Sequence, residues 1–148
     1  MGNSRKQLHT AIQHIEKKLG KTIRVSSLYQ TAAWGNTNQP DFLNQVILVE
    51  SNQTPSEAIQ TVLSIEEKMG RIRTQKNAPR IIDIDILFFN KVVISEPRLI
   101  VPHPEIQNRR FVLIPLNELS PNFKHPVLKK SVHQLLLSCK DELNVKKF

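Results

Sequence analysis

Leu8, Ile12, Ile15 and Leu19 return at intervals of three to four residues, which places them on one face of a helix. Asn3 or Ser4 can cap its start and Gly20 can stop it. Residues 22–31 are dense in Ile, Val, Thr and Tyr, and a period of two sets Ile23, Val25, Ser27 and Tyr29 on one face of a strand. The turn-forming run Gly35-Asn36-Thr37-Asn38-Gln39-Pro40-Asp41 separates it from a second strand over 43–50, and a connection that long suggests function more than a plain hairpin. Thr54-Pro55-Ser56-Glu57 combines a capping box with proline at the first helical position. The helix it opens carries Ala58, Val62, Ile65 and Met69 on its buried stripe and meets its end signal at Gly70.

The pattern changes at residues 71–80, which are polar, basic and without period, and read as a mobile loop. Residues 81–89 are the most apolar run; their length suits a strand, and a central one. Asn90-Lys91 can turn that strand into a short partner over 92–95. Pro97, Pro102, Pro104 and Pro115 punctuate the next stretch of chain, leaving 99–101 as a strand end, 107–113 as a short helical piece and 131–137 as a last helix. The order α-β-β-α-β-β-α predicts one domain over residues 1–148, an α+β sandwich with helices on one face of a mainly antiparallel sheet.

A chain of 148 residues, 39% hydrophobic and 23% charged, fits that single globule and excludes collagen-like, low-complexity and largely disordered classes. No apolar run approaches the roughly 18 to 20 residues that span a bilayer, and the first residues lack the apolar centre of a signal peptide; the expected compartment is the cytoplasm, without a membrane partner. Cys139 is the single cysteine, so neither an internal disulfide nor a cysteine zinc site can form, and stability must come from packing.

The net charge of +8 points to an anionic partner without choosing among nucleic acid, nucleotide phosphate and acidic surfaces. Lys124, Lys129, Lys130, Lys140, Lys146 and Lys147 cluster toward the C-terminus, where solvated charge is the plain reading. The arginines are placed differently: Arg71, Arg73, Arg80, Arg98, Arg109 and Arg110 all lie in the second half, several beside turn residues, and the guanidinium fork matches phosphate oxygens.

Asp83 and Asp85 interrupt Ile81-Ile82-Asp83-Ile84-Asp85-Ile86-Leu87, and strand period puts both carboxylates on one face, roughly 6.5 to 7 Å apart at Cα. Two like charges there repel, and a pair of hard cations would relieve the repulsion because carboxylate oxygens suit Mg²⁺. A solvent-facing strand that happens to carry two acids is the competing reading. Arg71, Arg73 and Arg80 flank the pair through the basic loop, and with Arg109 they could cradle a metal-bound polyphosphate. His103, held between Pro102 and Pro104, can donate to a phosphate or a leaving group, or be a turn histidine bonded to backbone. Trp34, Phe42 and Phe111 can stack on a planar heterocycle, or pack in the core.

With these residues in view, Lys76-Asn77-Ala78-Pro79-Arg80-Ile81-Ile82-Asp83-Ile84-Asp85-Ile86-Leu87 closely resembles the signature of the 6-hydroxymethyl-7,8-dihydropterin pyrophosphokinase family, folate-pathway enzymes that move a diphosphate from ATP to a pterin alcohol. Further blocks in the same order resemble that family: Ser26 to Thr31, Gln39 to Asn44, Glu66 with Gly70-Arg71-Ile72-Arg73, and Val101-Pro102-His103-Pro104 through Asn108 to Leu113. The resemblance implies a ferredoxin-like fold, ATP as co-substrate and two Mg²⁺ ions on Asp83 and Asp85. It implies catalytic roles for Arg71, Arg80, Asp83 and Asp85, and ATP contacts from Glu66, Arg71, Arg73, Arg80, His103 and Arg109. It further implies that Phe42 and Phe111 sandwich the pterin while Thr31, Gly35 and Asn44 line its polar edge. A monomer or weak dimer acting on small molecules, without nucleic acid, follows from the same likeness.

Family members open with a strand ending in Gly-Ser-Asn, a segment without a counterpart ahead of Met1-Gly2-Asn3. The resemblance therefore implies that a central strand and one wall of the pterin pocket are absent from these 148 residues, through a start assigned too late or a truncated homologue. Residues 74–78 lack the lid tryptophan of some members, and Pro104 stands where others carry an aromatic. An inactive homologue that binds without turnover is the first competing reading. A basic RNA-binding module is the second, and it expects aromatics in an Arg-Gly-Phe-Gly-Phe-Val type of strand, which this sequence does not contain.

Overall fold

The computed structural model describes residues 2–31, 42–70 and 82–148. Its elements run α1 (Gly2–Lys18), β1 (Lys21–Val25), β2 (Tyr29–Thr31), β3 (Phe42–Asn44), β4 (Ile47–Glu50), α2 (Pro55–Gly70), β5 (Ile94–Glu96), β6 (Leu99–Val101), a 3₁₀ turn (Ile106–Asn108), α3 (Arg110–Leu119), α4 (Val132–Ser138) and β7 (Val145–Lys147). Among the described residues every strand ladder is antiparallel, in three small sheets ordered β1-β4, β3-β2-β7 and β5-β6. This is the α+β class that the element order predicts, with its sheet divided.

Two apolar clusters hold it. Ala11 and Ile15 of α1 meet Ile65 and Met69 of α2, and Ile47, Val49, Ile82 and Ile84 pack against them. The second joins Leu113 and Leu116 of α3 to Val132 and Leu135 of α4 around Ile106, with Leu87 and Phe88 against it. The stripe predicted for α2 is the buried one, and its capping box is made: the Thr54 amide donates to Glu57 Oε1 (2.9 Å) and the Glu57 amide to Thr54 Oγ1 (3.2 Å). Ser131 and Gln134 repeat the device at α4.

Several sequence expectations are corrected. The first helix begins at Gly2, so Asn3 and Ser4 lie inside it instead of capping it. Gly20, by contrast, does stop α1, its amide donating to the Ile15 carbonyl (3.1 Å), and it serves close packing as well: a Cβ there would sit 2.1 Å from the Glu50 carbonyl oxygen of β4. The strands expected over 22–31 and 43–50 each break in two, because Ser26 and Val46 lock the crossing point between them. The Ser26 amide donates to the Val46 carbonyl (2.8 Å), Ser26 Oγ accepts from the Val46 amide (3.0 Å), and Gln45 Nε2 donates to the Ser26 carbonyl (2.9 Å). Side-chain bonds of this kind compete with a continuous ladder. The hairpin therefore bends, β1 pairing with β4 and β2 with β3, and Ile23 and Val25 stay exposed while Tyr29 is buried.

Among the described residues, 82–88 forms no strand ladder, unlike the central strand expected over 81–89. Its burial still alternates, with Ile82, Ile84 and Ile86 half-buried and Asp83 and Asp85 exposed. Side-chain packing against both clusters holds the segment, and the Leu87 carbonyl accepts from the His103 amide (2.8 Å). Asn90, at φ 53°, makes the expected turn, but the next strand is Ile94–Glu96, paired with Leu99–Val101 instead of with 81–89. The short helix expected over 107–113 becomes a 3₁₀ turn and then α3, which runs through Pro115 because Leu113, Pro115, Leu116 and Leu119 are all buried. Lys146 and Lys147, expected as plain solvated charge, belong to β7, although their side chains are exposed.

Candidate active site

The two acids are carried by a segment pinned on three sides. Helix α2 brings Glu66 beneath it, and Glu66 Oε2 accepts the Ile84 amide at 2.6 Å, between the two aspartates. Ile84 itself packs against the α1/α2 cluster, so the backbone between Asp83 and Asp85 is held by a charge-assisted bond and by burial together. On the far side, the Val101–Pro102 peptide is cis and leads into His103. His103 Nδ1 accepts the Glu105 amide (3.1 Å), which leaves Nε2 to carry the proton of the neutral ring, and Nε2 lies 4.0 Å from Asp85 Oδ2. His103 is thus both a turn histidine bonded to backbone and a neighbour of the acid pair.

Arg109 is the extended residue before α3 and Phe111 is in its first turn; the Arg109 guanidinium carbon stands 5.9 Å from the Phe111 ring centre. Helix α3 touches β2 and β3, which carry the remaining described pterin candidates. Thr31 pairs with Phe42 across that ladder, and Asn44 Nδ2 donates to the buried Thr31 Oγ1 at 3.2 Å. Phe42 is 55% exposed, which removes the core-packing reading for it. Phe111 is half-buried. Arg71, Arg73, Arg80, Gly35 and Trp34 lie outside the described residues.

The far end of α3 is tied to β2 by Glu118. Its carboxylate accepts the Tyr29 hydroxyl (2.6 Å), the Ser27 amide (3.1 and 3.0 Å to its two oxygens) and the Ser27 hydroxyl (3.2 Å). Burial, then the bond to Glu118 and its charge, push the Tyr29 phenol up to about 12. Burial would raise the Glu118 carboxyl, but the bonds from Tyr29 and Ser27, with Lys147 nearby, hold it below its ordinary range. The near end of α3 has no side-chain cap of its own; the Arg110 amide instead donates to Asp141 Oδ2 (3.0 Å). Sequence reasoning missed Glu118, Asp141 and the bond from Glu66 to Ile84, since each joins elements far apart in the chain. Two clefts formed by the described residues, of about 360 and 300 Å³, lie beside Lys18, Gln53 and Thr61 and beside Leu63 and Arg98, away from all these residues.

Among the described residues no group of three or more His, Cys, Asp or Glu side chains could hold a metal. The segment offers two exposed carboxylates on one side, with Glu66 and His103 positioned behind and beside them. That set suits Mg²⁺, which commonly takes one or two protein carboxylates and completes its shell with water and substrate phosphates.

Comparison with known proteins gives a consistent result. The profile of the family described as 7,8-dihydro-6-hydroxymethylpterin-pyrophosphokinase (HPPK) matches residues 1–121. Three relatives named 2-amino-4-hydroxy-6-hydroxymethyldihydropteridine pyrophosphokinase are 41% identical (Synechocystis sp.), 36% (Methylorubrum extorquens) and 37% (Aquifex aeolicus), over 76%, 82% and 84% of this chain. The match spans 57% of the Synechocystis relative and 78% and 77% of the other two. The crystal structure of wild-type Plasmodium falciparum HPPK-DHPS shares the fold, with a TM-score of 0.75 at 21% identity over 92% of this chain and 42% of that one.

Proposed function

Because the chain belongs to the 7,8-dihydro-6-hydroxymethylpterin-pyrophosphokinase family, we propose that it transfers diphosphate from ATP to the hydroxymethyl oxygen of 6-hydroxymethyl-7,8-dihydropterin and releases AMP. The observation that carries the reading is the pinned pair Asp83 and Asp85, exposed on one side of a segment whose apolar side chains are packed and whose backbone Glu66 holds. Two Mg²⁺ ions on these carboxylates would neutralise the triphosphate and make its β-phosphorus more electrophilic.

The rest of the work falls to the chain's own residues. The pterin hydroxymethyl oxygen forms a bond to the β-phosphorus, the bridging bond to the α-phosphate breaks, the electron pair leaves with AMP, and the hydroxyl proton passes to water. Catalysis is then mainly position and charge. His103 Nε2–H donates toward the phosphates beside Asp85, and Arg109, leaving the face of Phe111, meets phosphate oxygens. Arg71, Arg73 and Arg80 supply further positive charge, Arg71 and Arg80 to the charge that develops during transfer. Phe42 and Phe111 stack on the pterin, with Asn44, Thr31 and Gly35 at its polar edge. The reading places the reaction in the cytoplasm, where ATP is abundant, in a monomer or weak dimer.

Titration calorimetry with the pterin and a non-hydrolysable ATP analogue, with and without Mg²⁺, tests the proposal, and single-stranded RNA is the third ligand. Magnesium-dependent binding of the analogue and binding of the pterin support it. Binding of RNA alone would replace it with the nucleic-acid reading, and binding of both small molecules with no AMP released when ATP itself is supplied would leave an inactive homologue.

A further inference from the structure

Residues 141–148 lie beyond the family match, which ends at residue 121, and touch both halves of the candidate pterin site. One half is the start of α3, with Phe111. The other is the β2-β3 pair, with Thr31, Phe42 and Asn44. A helix start leaves its first amides without partners inside the helix, and an anionic acceptor there is favoured by the helix dipole. Helix α3 has no local cap, and Asp141, 31 residues away, supplies the acceptor: Oδ2 takes the Arg110 amide at 3.0 Å. Its other oxygen, Oδ1, takes the Leu143 amide, also at 3.0 Å, and so fixes the path of the chain into β7. Strand β7 then pairs with β2, Val145 facing Thr31, Lys146 facing Gln30 and Lys147 facing Tyr29, and the Phe148 amide donates to the Leu28 carbonyl at 2.8 Å. Strand β2 is the middle strand of its sheet, so its other edge holds β3. One carboxylate therefore links the helix turn that carries Phe111 to the strands that carry Phe42 and Asn44, while Glu118 closes the same connection at the opposite end of α3.

We infer that residues 141–148 are a clamp that sets the two halves of the pterin site against each other, with Asp141 as its positioning residue. The inference rests on the pterin reading of Phe42, Asn44 and Phe111 proposed above. A cap that acted only on the helix would change stability alone. A clamp also changes the fraction of molecules in which the two halves are correctly spaced, and apparent affinity scales with that fraction.

The test uses the full chain with Asp141→Ala, Asp141→Asn, Lys146→Pro and, as control, Glu142→Ala on an exposed neighbour. The pterin dissociation constant is measured well below each melting temperature, together with hydrogen exchange of the free proteins. Asp141→Ala is expected to weaken pterin binding by up to about fivefold, the loss of one cap expressed as a population. Asp141→Asn, which keeps one acceptor oxygen, recovers part of this, and Glu142→Ala changes nothing. Lys146→Pro, which removes an amide from the β2-β7 ladder, reproduces the Asp141→Ala effect. In Asp141→Ala, amides 110–113 and 29–31 exchange faster together while those of α2 do not change. A lower melting temperature with unchanged pterin affinity would overturn the clamp, as would faster exchange confined to α3. Failure of the unaltered chain to bind pterin would overturn the functional reading instead, and the exchange comparison would then decide on the clamp by itself.

Discussion

Tyr29→Phe deletes one hydroxyl, the one that joins β2 to α3, and leaves the buried ring in place. The bond lost is 2.6 Å long and made to a carboxylate, and hydrogen bonds to charged groups contribute about 1.5–3 kcal/mol. Glu118 keeps its bonds from the Ser27 amide and hydroxyl, so it is not stranded, and the cost falls at the lower end, about 1.5 kcal/mol. For a chain of this size that is about 3–6 °C in melting temperature. The variant also tests the electrostatics. Tyr29 is the chain's one tyrosine, so its ionisation is read without interference from absorbance at 295 nm. The folded midpoint is about 12, while an unfolded tyrosine titrates near 10. Between those values the folded state holds the extra proton, so this contribution to stability is complete below about pH 10 and is lost as pH rises toward 12. The phenylalanine variant lacks that contribution to the alkaline decline. A midpoint near 10 in the folded wild type, or identical melting of the two proteins at neutral pH, would refute the bond between α3 and β2.

Three further expectations come from other parts of the fold. His125 is buried, its Nδ1 accepts the Val127 and Leu128 amides (3.1 and 3.0 Å), and burial lowers its pKa, so the folded state holds fewer protons than the unfolded one. Stability from this site is present above about pH 6.5 and falls as pH drops through the lowered folded value; His125→Asn, which keeps an acceptor, should lose that slope in denaturant titrations between pH 7 and 5.5. Gly20→Ala forces a methyl to within 2.1 Å of the Glu50 carbonyl oxygen and should cost about 1–3 kcal/mol or more, whereas Gly70→Ala meets nothing within 4 Å and should gain up to about 1 kcal/mol, both by chemical denaturation. Phe42→Leu and Phe111→Leu should each weaken pterin binding by about 0.5–1.5 kcal/mol, with the melting temperature of the Phe42 variant nearly unchanged because that ring is exposed; early melting with normal pterin affinity would place the pocket elsewhere.

The features legible in the chain were local ones. The α2 stripe, its capping box and the Ser131 cap each depend on residues within a few positions of one another, and they form as the spacing requires. The alternation of Asp83 and Asp85 with half-buried isoleucines was legible for the same reason. The ladder expected around that segment was not, because pairing depends on what lies alongside it. The breaks at Ser26 and Val46 arise where the side chains of Ser26 and Gln45, 19 residues apart, meet backbone groups of the facing strand, which no strand propensity records. Within the site, the segment that bears the acids was visible, but the bonds that fix it were not: Glu66 lies 18 residues from Ile84 and Asp141 lies 31 from Arg110. The short Asx turn from Asp141 to Leu143 was the one local sign that this aspartate does structural work.

The central claim is tested most directly by following the reaction itself by phosphorus NMR. The full chain is mixed with Mg²⁺, ATP and 6-hydroxymethyl-7,8-dihydropterin, beside folded Asp83→Ala and Asp85→Ala variants. In the unaltered chain, AMP and the pterin diphosphate should appear together, one for one, with no ADP; neither product should form in the two variants, each shown to be folded by its melting transition. ADP and free phosphate in place of AMP, or equal turnover in both variants, would contradict it.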